Sequence, residues 1–258
     1  MEAVETILVE AAESIVLPAL ASGENVLASE KSHGEMVTPT DRAVEQQLTL
    51  RLPDLLPGSR VVGEEACALD PSLLAGLGEG WAWVVDPIDG TRNFIAGQGP
   101  FAMMVALLRN GVTVGAWILD PLSMDLWSAE KGGGCYLAGE KILLQPEPSG
   151  IRSAVAIVSR AFVPPGSELF LRSLASSLRE VLPTRRCAGA EYPQVARGEV
   201  DMALYWRTLP WDHLPGLLIV EEAGGFARQL DGTAYDPLRF KPGIVVASSR
   251  EIVQQVIE

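Results

Sequence analysis

The chain has 258 residues, with 20 Lys and Arg against 33 Asp and Glu, a net charge of −13. Apolar residues at 48% and charged residues at 21% suit a folded globular chain, long enough for one large domain or two packed halves. So acidic a chain repels nucleic acid and anionic membrane, which excludes both as partners; a phosphorylated small molecule is admitted where cations mediate the contact. Residues 1–30 hold no Lys or Arg, and no apolar run reaches the 18 residues of a membrane span, so neither a secretory leader nor a bilayer helix is expected. Cys67, Cys135 and Cys187 are odd in number and far apart, which reads as reduced thiols in the cytoplasm.

In chain order, Val4, Ile7, Leu8, Ala11, Ile15 and Val16 predict a helix closed by Gly23. A polar stretch, Ser29–Gly34, leads to Val37-Thr38-Pro39-Thr40-Asp41, and a second helix with Val44, Leu48 and Leu52 on one face ends at Pro53. Val61-Val62 is a short strand running into Gly63-Glu64-Glu65, and Trp81–Val85 is another, running into Asp86-Pro87-Ile88-Asp89-Gly90-Thr91. Strands follow over Phe101–Leu108, Val112–Leu119 and Met124–Ala129, the first two joined by Asn110-Gly111 as a tight hairpin. Gly132-Gly133-Gly134 reads as a β-turn rather than a phosphate loop.

Gln145-Pro146-Glu147-Pro148-Ser149-Gly150 is the expected boundary between a domain at 1–145 and a second at 146–258. Beyond it strands (Ala154–Val158, Met202–Tyr205, Ile244–Ala247) alternate with helices (Glu168–Leu178, Leu214–Glu222, and one at the C-terminus). The fold class is therefore α/β, helices and sheets in layers.

The informative feature is where the acids fall. Glu64 and Glu65 follow one strand, Asp86 and Asp89 follow another, and Asp212 opens a helix after Pro210-Trp211. Strand ends and helix starts meet in crevices, where binding sites form. Carboxylates crowded there must take up protons, pair with bases or bind hard cations. Arg60 and Arg92 are the only bases between residues 52 and 108. All-oxygen ligands select Mg²⁺, Mn²⁺ or Ca²⁺, and a two-ion carboxylate site suits attack on a phosphate ester. HExxH spacing is absent, so His33 and His213 read as exposed or structural.

Together, Gly63-Glu64-Glu65, Trp83-Val84-Val85-Asp86-Pro87-Ile88-Asp89-Gly90-Thr91-Arg92-Asn93-Phe94 and Trp211-Asp212 with Glu222-Ala223-Gly224-Gly225 resemble the inositol monophosphatase family. Val37-Thr38-Pro39-Thr40-Asp41 resembles its upstream element, and the likeness runs over nearly the whole chain in the family's order. The resemblance implies a layered sugar-phosphatase fold, a homodimer, and Mg²⁺-dependent, lithium-sensitive hydrolysis of a small phosphate monoester. It implies two Mg²⁺ ions, one held by Glu64, Asp86 and the Ile88 carbonyl, one by Asp86, Asp89 and Asp212, with a third, weaker ion at Glu64. Asp41, Glu64 and Thr91 would be catalytic, Thr91 helping to deprotonate the attacking water and Asp41 orienting its hydroxyl. The amides of Gly90 and Thr91 would receive phosphate oxygens, with Asp89, Gly189, Ala190, Tyr205 and Asp212 lining the substrate. Lys31 matches a family lysine near the metals, while Glu65 reads as exposed or behind the ligands and Cys187 as a buried thiol.

One position departs from the pattern. Where inositol-preferring members carry a glutamate for sugar hydroxyls, this chain has Tyr205, followed by Trp206 and Arg207, and Arg186-Cys187-Ala188-Gly189-Ala190-Glu191 also deviates. The change suits a flatter or more anionic substrate. A shift of one residue in the correspondence would restore a different contact, such as Glu191. Rival activities on this scaffold are a 3′(2′),5′-bisphosphate nucleotidase, a fructose-1,6-bisphosphatase and a histidinol-phosphatase, and the rival of another class is a nonenzymatic regulatory protein.

Overall fold

The computed structural model describes residues 1–32, 35–145 and 150–258. Two sheets and three sets of helices alternate as five layers. The first layer holds α1 (Glu2–Ala11), α2 (Leu17–Ser22) and α3 (Pro39–Leu55). Between α2 and α3 lies a hairpin of β1 (Ser29–Ser32) and β2 (Glu35–Val37). Val4, Leu8, Ala11, Val44, Leu48 and Leu52 repeat at helical spacing and bury one face of this layer on the first sheet. α3 runs two residues past Pro53, to Leu55, rather than ending at it; with no N–H to bond the Thr49 carbonyl, the proline comes where the helix is about to stop.

The first sheet runs β3 (Arg60–Gly63), β4 (Trp81–Asp89), β5 (Ala102–Arg109), β6 (Val112–Leu119), β7 (Leu126–Glu130), β8 (Gly134–Leu137) and β9 (Glu140–Ile142), in that spatial order. Only β3 and β4 are parallel; α4 (Glu64–Leu69) lies between them in the chain, and α5 (Thr91–Ile95) follows β4. Alternation divides β5 between two cores: Met103 and Val105 face the first helix layer, Ala102 and Met104 the central one. At the β5–β6 turn Asn110 and Gly111 have φ of 50° and 78°, the left-handed pair of a type I′ hairpin. β7 begins at Leu126, since Met124, expected in the strand, sits in a left-handed turn at φ 60°.

The second sheet holds β10 (Val155–Val158), β11 (Glu180–Leu182), β12 (Met202–Tyr205), β13 (Phe226–Gln229) and β14 (Ile244–Ala247), in spatial order β11-β10-β12-β14-β13. Its outer face is covered by α6 (Glu168–Ser177) and α9 (Arg250–Ile257). Between the sheets lie α7 (Ala188–Ala196) and α8 (Pro210–Ala223). α8 is apolar on nearly every side, from Leu214 to Val220, as a helix clamped between two sheets must be. Its position settles the geometry of the cleft: the first turn of α8 is carried to the end of β4. Residues 146–149 of the expected linker lie outside the described ones; we propose the boundary between 145 and 146, which would part the two sheets.

Candidate metal centre and active-site cleft

The acids of the cleft are set by backbone geometry. The pairing of β4 with β5 is interrupted between Asp86 and Asp89, and this irregularity aims both carboxylates away from the sheet. Gly90 ends the turn at φ +84°, and a Cβ there would lie 3.0 Å from the Pro100 carbonyl and 3.1 Å from Cys187 Cβ. From the opposite side Asp212, third residue of α8, enters the same space. One oxygen from each of Asp86, Asp89 and Asp212 lies within 4.8 Å of the others.

These oxygens are poorly compensated by the protein. Asp86 is buried, and its Oδ1 has no hydrogen-bond partner. Burial raises its pKa well above the carboxylate range, and the charges of Glu64, Asp89 and Asp212 raise it further. Asp89 is pushed up to about 7 by burial and by Asp212, although the Gly189 amide donates to its Oδ2 at 2.6 Å. Glu64 is raised to about 8 by burial, with Lys31 opposing and Asp212 adding. A buried, orphaned carboxylate oxygen among like charges fits a hard divalent cation, which takes oxygen ligands and removes the repulsion. The Ile88 carbonyl, expected beside them, accepts a hydrogen bond from Thr91 Oγ1 at 3.0 Å.

Asp41 serves two neighbours. Its Oδ2 accepts from Thr38 N–H at 2.8 Å and from Thr38 Oγ1 at 2.5 Å, closing a capping box on α3, a device worth about 1 kcal/mol. Its Oδ1 lies 3.5 Å from Thr91 Oγ1. Burial raises its pKa despite the Thr38 bonds.

Lys31, from the hairpin, places Nζ 2.9 Å from Glu64 Oε1 and against Glu65 Oε1. Burial lowers the pKa of Lys31, but the two glutamates outweigh it and the net shift is upward. Glu65 is buried, not exposed, and its amide donates to Glu45 Oε2 at 2.8 Å. Glu45 was missed in the sequence, yet the signal was there: Asp41, Glu45, Leu48 and Leu52 share one face of α3, and acids on an apolar face must have partners.

The cleft above the acids has a volume of about 620 Å³. Its wall includes Tyr205, Arg207, Phe162 and Arg186. Tyr205 is buried against Tyr192, rings stacked at 5.3 Å, and burial, with the neighbouring Glu191 carboxylate, raises the pKa of its hydroxyl well above the usual phenol range. Glu191 does not take the polyol position: it is buried and accepts from Thr184 Oγ1 at 2.7 Å and Arg185 N–H at 2.6 Å. Gly189 and Ala190 line a smaller cleft of about 130 Å³ on the other side of α7, with the Gly189 amide committed to Asp89.

His213 is buried and structural: Nε2–H donates to the Arg207 carbonyl at 2.7 Å, so Nδ1 accepts from Tyr192 Oη at 2.9 Å. His33 lies outside the described residues. Cys187 is buried behind Asp89, its Sγ 3.6 Å from the Asp89 carbonyl. Gly132–Gly134 forms a turn whose Gly132 and Gly134 amides donate to Glu222.

The whole chain, residues 1–258, matches the model of the inositol monophosphatase family. It is 32% identical to the inositol-1-monophosphatase of Caulobacter vibrioides over 235 residues, 89% of each chain. It is 28% identical to the Nus factor SuhB of Vibrio cholerae, over 94% of this chain and 89% of that one. The crystal structure of extragenic suppressor protein suhB from Bartonella henselae superposes with a TM-score of 0.85 at 24% identity, covering 100% of this chain and 96% of that one, and shows the same fold. No helix among the described residues is long and apolar enough to cross a membrane. The chain thus belongs to the inositol monophosphatase family and is a phosphoric monoester hydrolase.

Proposed function

We propose that this protein hydrolyses a small phosphate monoester with Mg²⁺, water attacking phosphorus in line and no covalent phosphoenzyme forming. The observation that carries the reading is the convergence of Asp86, Asp89 and Asp212 from two layers, with Asp86 Oδ1 buried and unpartnered. Asp86, Asp89 and Asp212, with Glu64 and the Ile88 carbonyl, would hold two ions, and Glu64 a third and weaker one. Bound there, Mg²⁺ neutralises phosphate charge and makes water a stronger nucleophile near neutral pH.

The chain's own groups do the rest. Thr91 Oγ1 orients the attacking water, taking its proton while passing its own to Asp41 Oδ1; the hydroxyl rotates from the Ile88 carbonyl to do so. The raised pKa of Asp41 makes it a better acceptor for that proton. Amides at the start of α5, Gly90 and Thr91, have no partner within the helix and face phosphate oxygens. Lys31 holds Glu64 and Glu65 in place, tying the hairpin to the cleft floor.

Tyr205 stands where a carboxylate would bind a polyol and supplies none, so inositol 1-phosphate should not be the best ester. Inhibition by Li⁺, uncompetitive or noncompetitive in substrate, belongs to the same reading, as do a homodimer and a cytoplasmic location suited to three free buried thiols. A panel of phosphate esters with Mg²⁺, scored by kcat/KM, tests it: metal-dependent turnover supports the proposal, and activity unchanged in chelator defeats it. A tenfold preference for inositol 1-phosphate, about 1.4 kcal/mol, would defeat the part assigned to Tyr205.

A further inference from the structure

The cleft divides by charge. Its floor is acidic, and its wall carries guanidinium groups at Arg92, Arg160, Arg186 and Arg207, in a chain with only 20 basic residues against 33 acids. Arg207 is already committed, paired to Glu35 of the hairpin and 3.7 Å from Asp212, with its guanidinium 4.4 Å over the Phe162 ring. Arg160 and Arg186 are exposed and make no ion pair among the described residues.

The two arms that carry them are braced at the base. Thr184 and Arg185 are held by the buried Glu191, and the Arg186 amide donates to Thr184 Oγ1 at 3.0 Å. On the other arm the Ser159 amide donates to the Leu204 carbonyl at 2.9 Å, and the Ser159 carbonyl accepts from Trp206 Nε1 at 2.9 Å. At the tips, Phe162 and Arg186 hold φ of 59° and 57°, left-handed conformations unusual for bulky residues. Arginines kept for solubility need no strained backbone on a braced arm; strain of this kind gathers where a ligand is held. Tyr205, 92% buried, also lines the cleft, its hydroxyl turned to the buried Glu191 that braces the Arg186 arm.

We propose that Arg160 and Arg186, with Phe162 as the apolar lip, form a subsite for a second anionic group on the substrate. The inference rests on the phosphatase reading and narrows it. The preferred esters carry a further phosphate or carboxylate, received by the planar donor forks of two guanidinium groups, while the ester phosphate lies over the acids.

The test uses two matched pairs that differ by one phosphate: fructose 1-phosphate with fructose 1,6-bisphosphate, and adenosine 2′-monophosphate with adenosine 2′,5′-bisphosphate. With Mg²⁺ at low salt, kcat/KM should favour the bisphosphate at least tenfold in one pair, through KM, and the advantage should shrink as salt rises. In the double variant Arg160→Ala/Arg186→Gly the ratio should fall below threefold. Glycine suits the left-handed position, so this variant keeps its fold, and its thermal midpoint checks that. No advantage in either pair, or one that survives in the double variant, overturns the subsite. If none of the four esters is hydrolysed, the Mg²⁺ hydrolysis reading fails, and calorimetry of the same molecules still decides the subsite. Bisphosphate binding tenfold tighter, and lost in the variant, supports it; equal binding overturns it.

Discussion

Asp86 and Thr91 stand one turn apart, yet they should fail in different ways when changed. Asp86→Asn removes a negative charge shared by both proposed ion sites, so turnover should drop by several orders of magnitude. The same change relieves repulsion with Glu64, Asp89 and Asp212, so in chelator the melting temperature should rise. Full activity with Mg²⁺ would remove Asp86 from the site. Thr91→Ala leaves every carboxylate in place and takes away only the hydroxyl between water and Asp41. A loss of about 10²–10⁴ in kcat is expected, with calorimetric Mg²⁺ affinity little changed. At this scale the sequence was most legible where acids sit beside Gly and Pro in a turn, and context decided their meaning. Asp89-Gly90-Thr91 ends a central strand and enters the cleft, whereas Asp231-Gly232-Thr233 is a surface turn, Asp231 Oδ1 accepting from Thr233 and its Oδ2 paired with Lys241. Arg160 and Phe162 were not legible, because what gives them a role is their place on the cleft wall, which local spacing does not show.

The elements differ in the same manner. The Asn110-Gly111 hairpin, the buried face of α3 and the strand leading to Asp86 follow from local periodicity and turn chemistry. β8, β9, β11 and β13 have three or four residues each and lack the fully buried apolar run that marks the equally short β10, β12 and β14, so they exist because their neighbours offer them edges. α7 was read as a stretch of substrate contacts, since its meaning depends on β5: a Cβ on Gly189 would lie 2.6 Å from Ala102 Cβ. Gly189→Ala should therefore push α7 off the sheet, costing about 1–3 kcal/mol of stability. The same displacement pulls an amide away from Asp89, so kcat should fall as well. Chemical denaturation and kinetics check the two effects together, and a variant with wild-type midpoint and rate would contradict the close approach.

For the whole molecule, the acids couple stability to pH. Asp89 at about 7 and Glu64 at about 8 lie above their unfolded values near 4, as does Asp86, so between these limits the folded state holds protons that the unfolded chain has released. Stability must then fall as pH rises from about 4 to 8 in chelator. A loss of several degrees is expected, each kcal/mol moving the midpoint about 2–4 °C at this size. Mg²⁺, by stabilising the ionised carboxylates, should flatten that slope; a flat profile in chelator would refute the coupling.

Cys187 makes the opening of this structure measurable as a clock. Its thiol lies 1% exposed beside Asp89 at the cleft, where the acids bring the first sheet and α8 together, while Cys67 and Cys135 are buried elsewhere. A thiol reagent reaches Cys187 only when the layers part, so its labelling rate counts those openings. Mg²⁺ should slow that rate more than it slows labelling of Cys67 or Cys135, because an ion held by Asp86, Asp89 and Asp212, as proposed, would tie the first sheet to α8. Equal slowing of all three would mean that the molecule opens only by unfolding throughout. Preferential protection of Cys187 would make the proposed metal also the fastener of the fold.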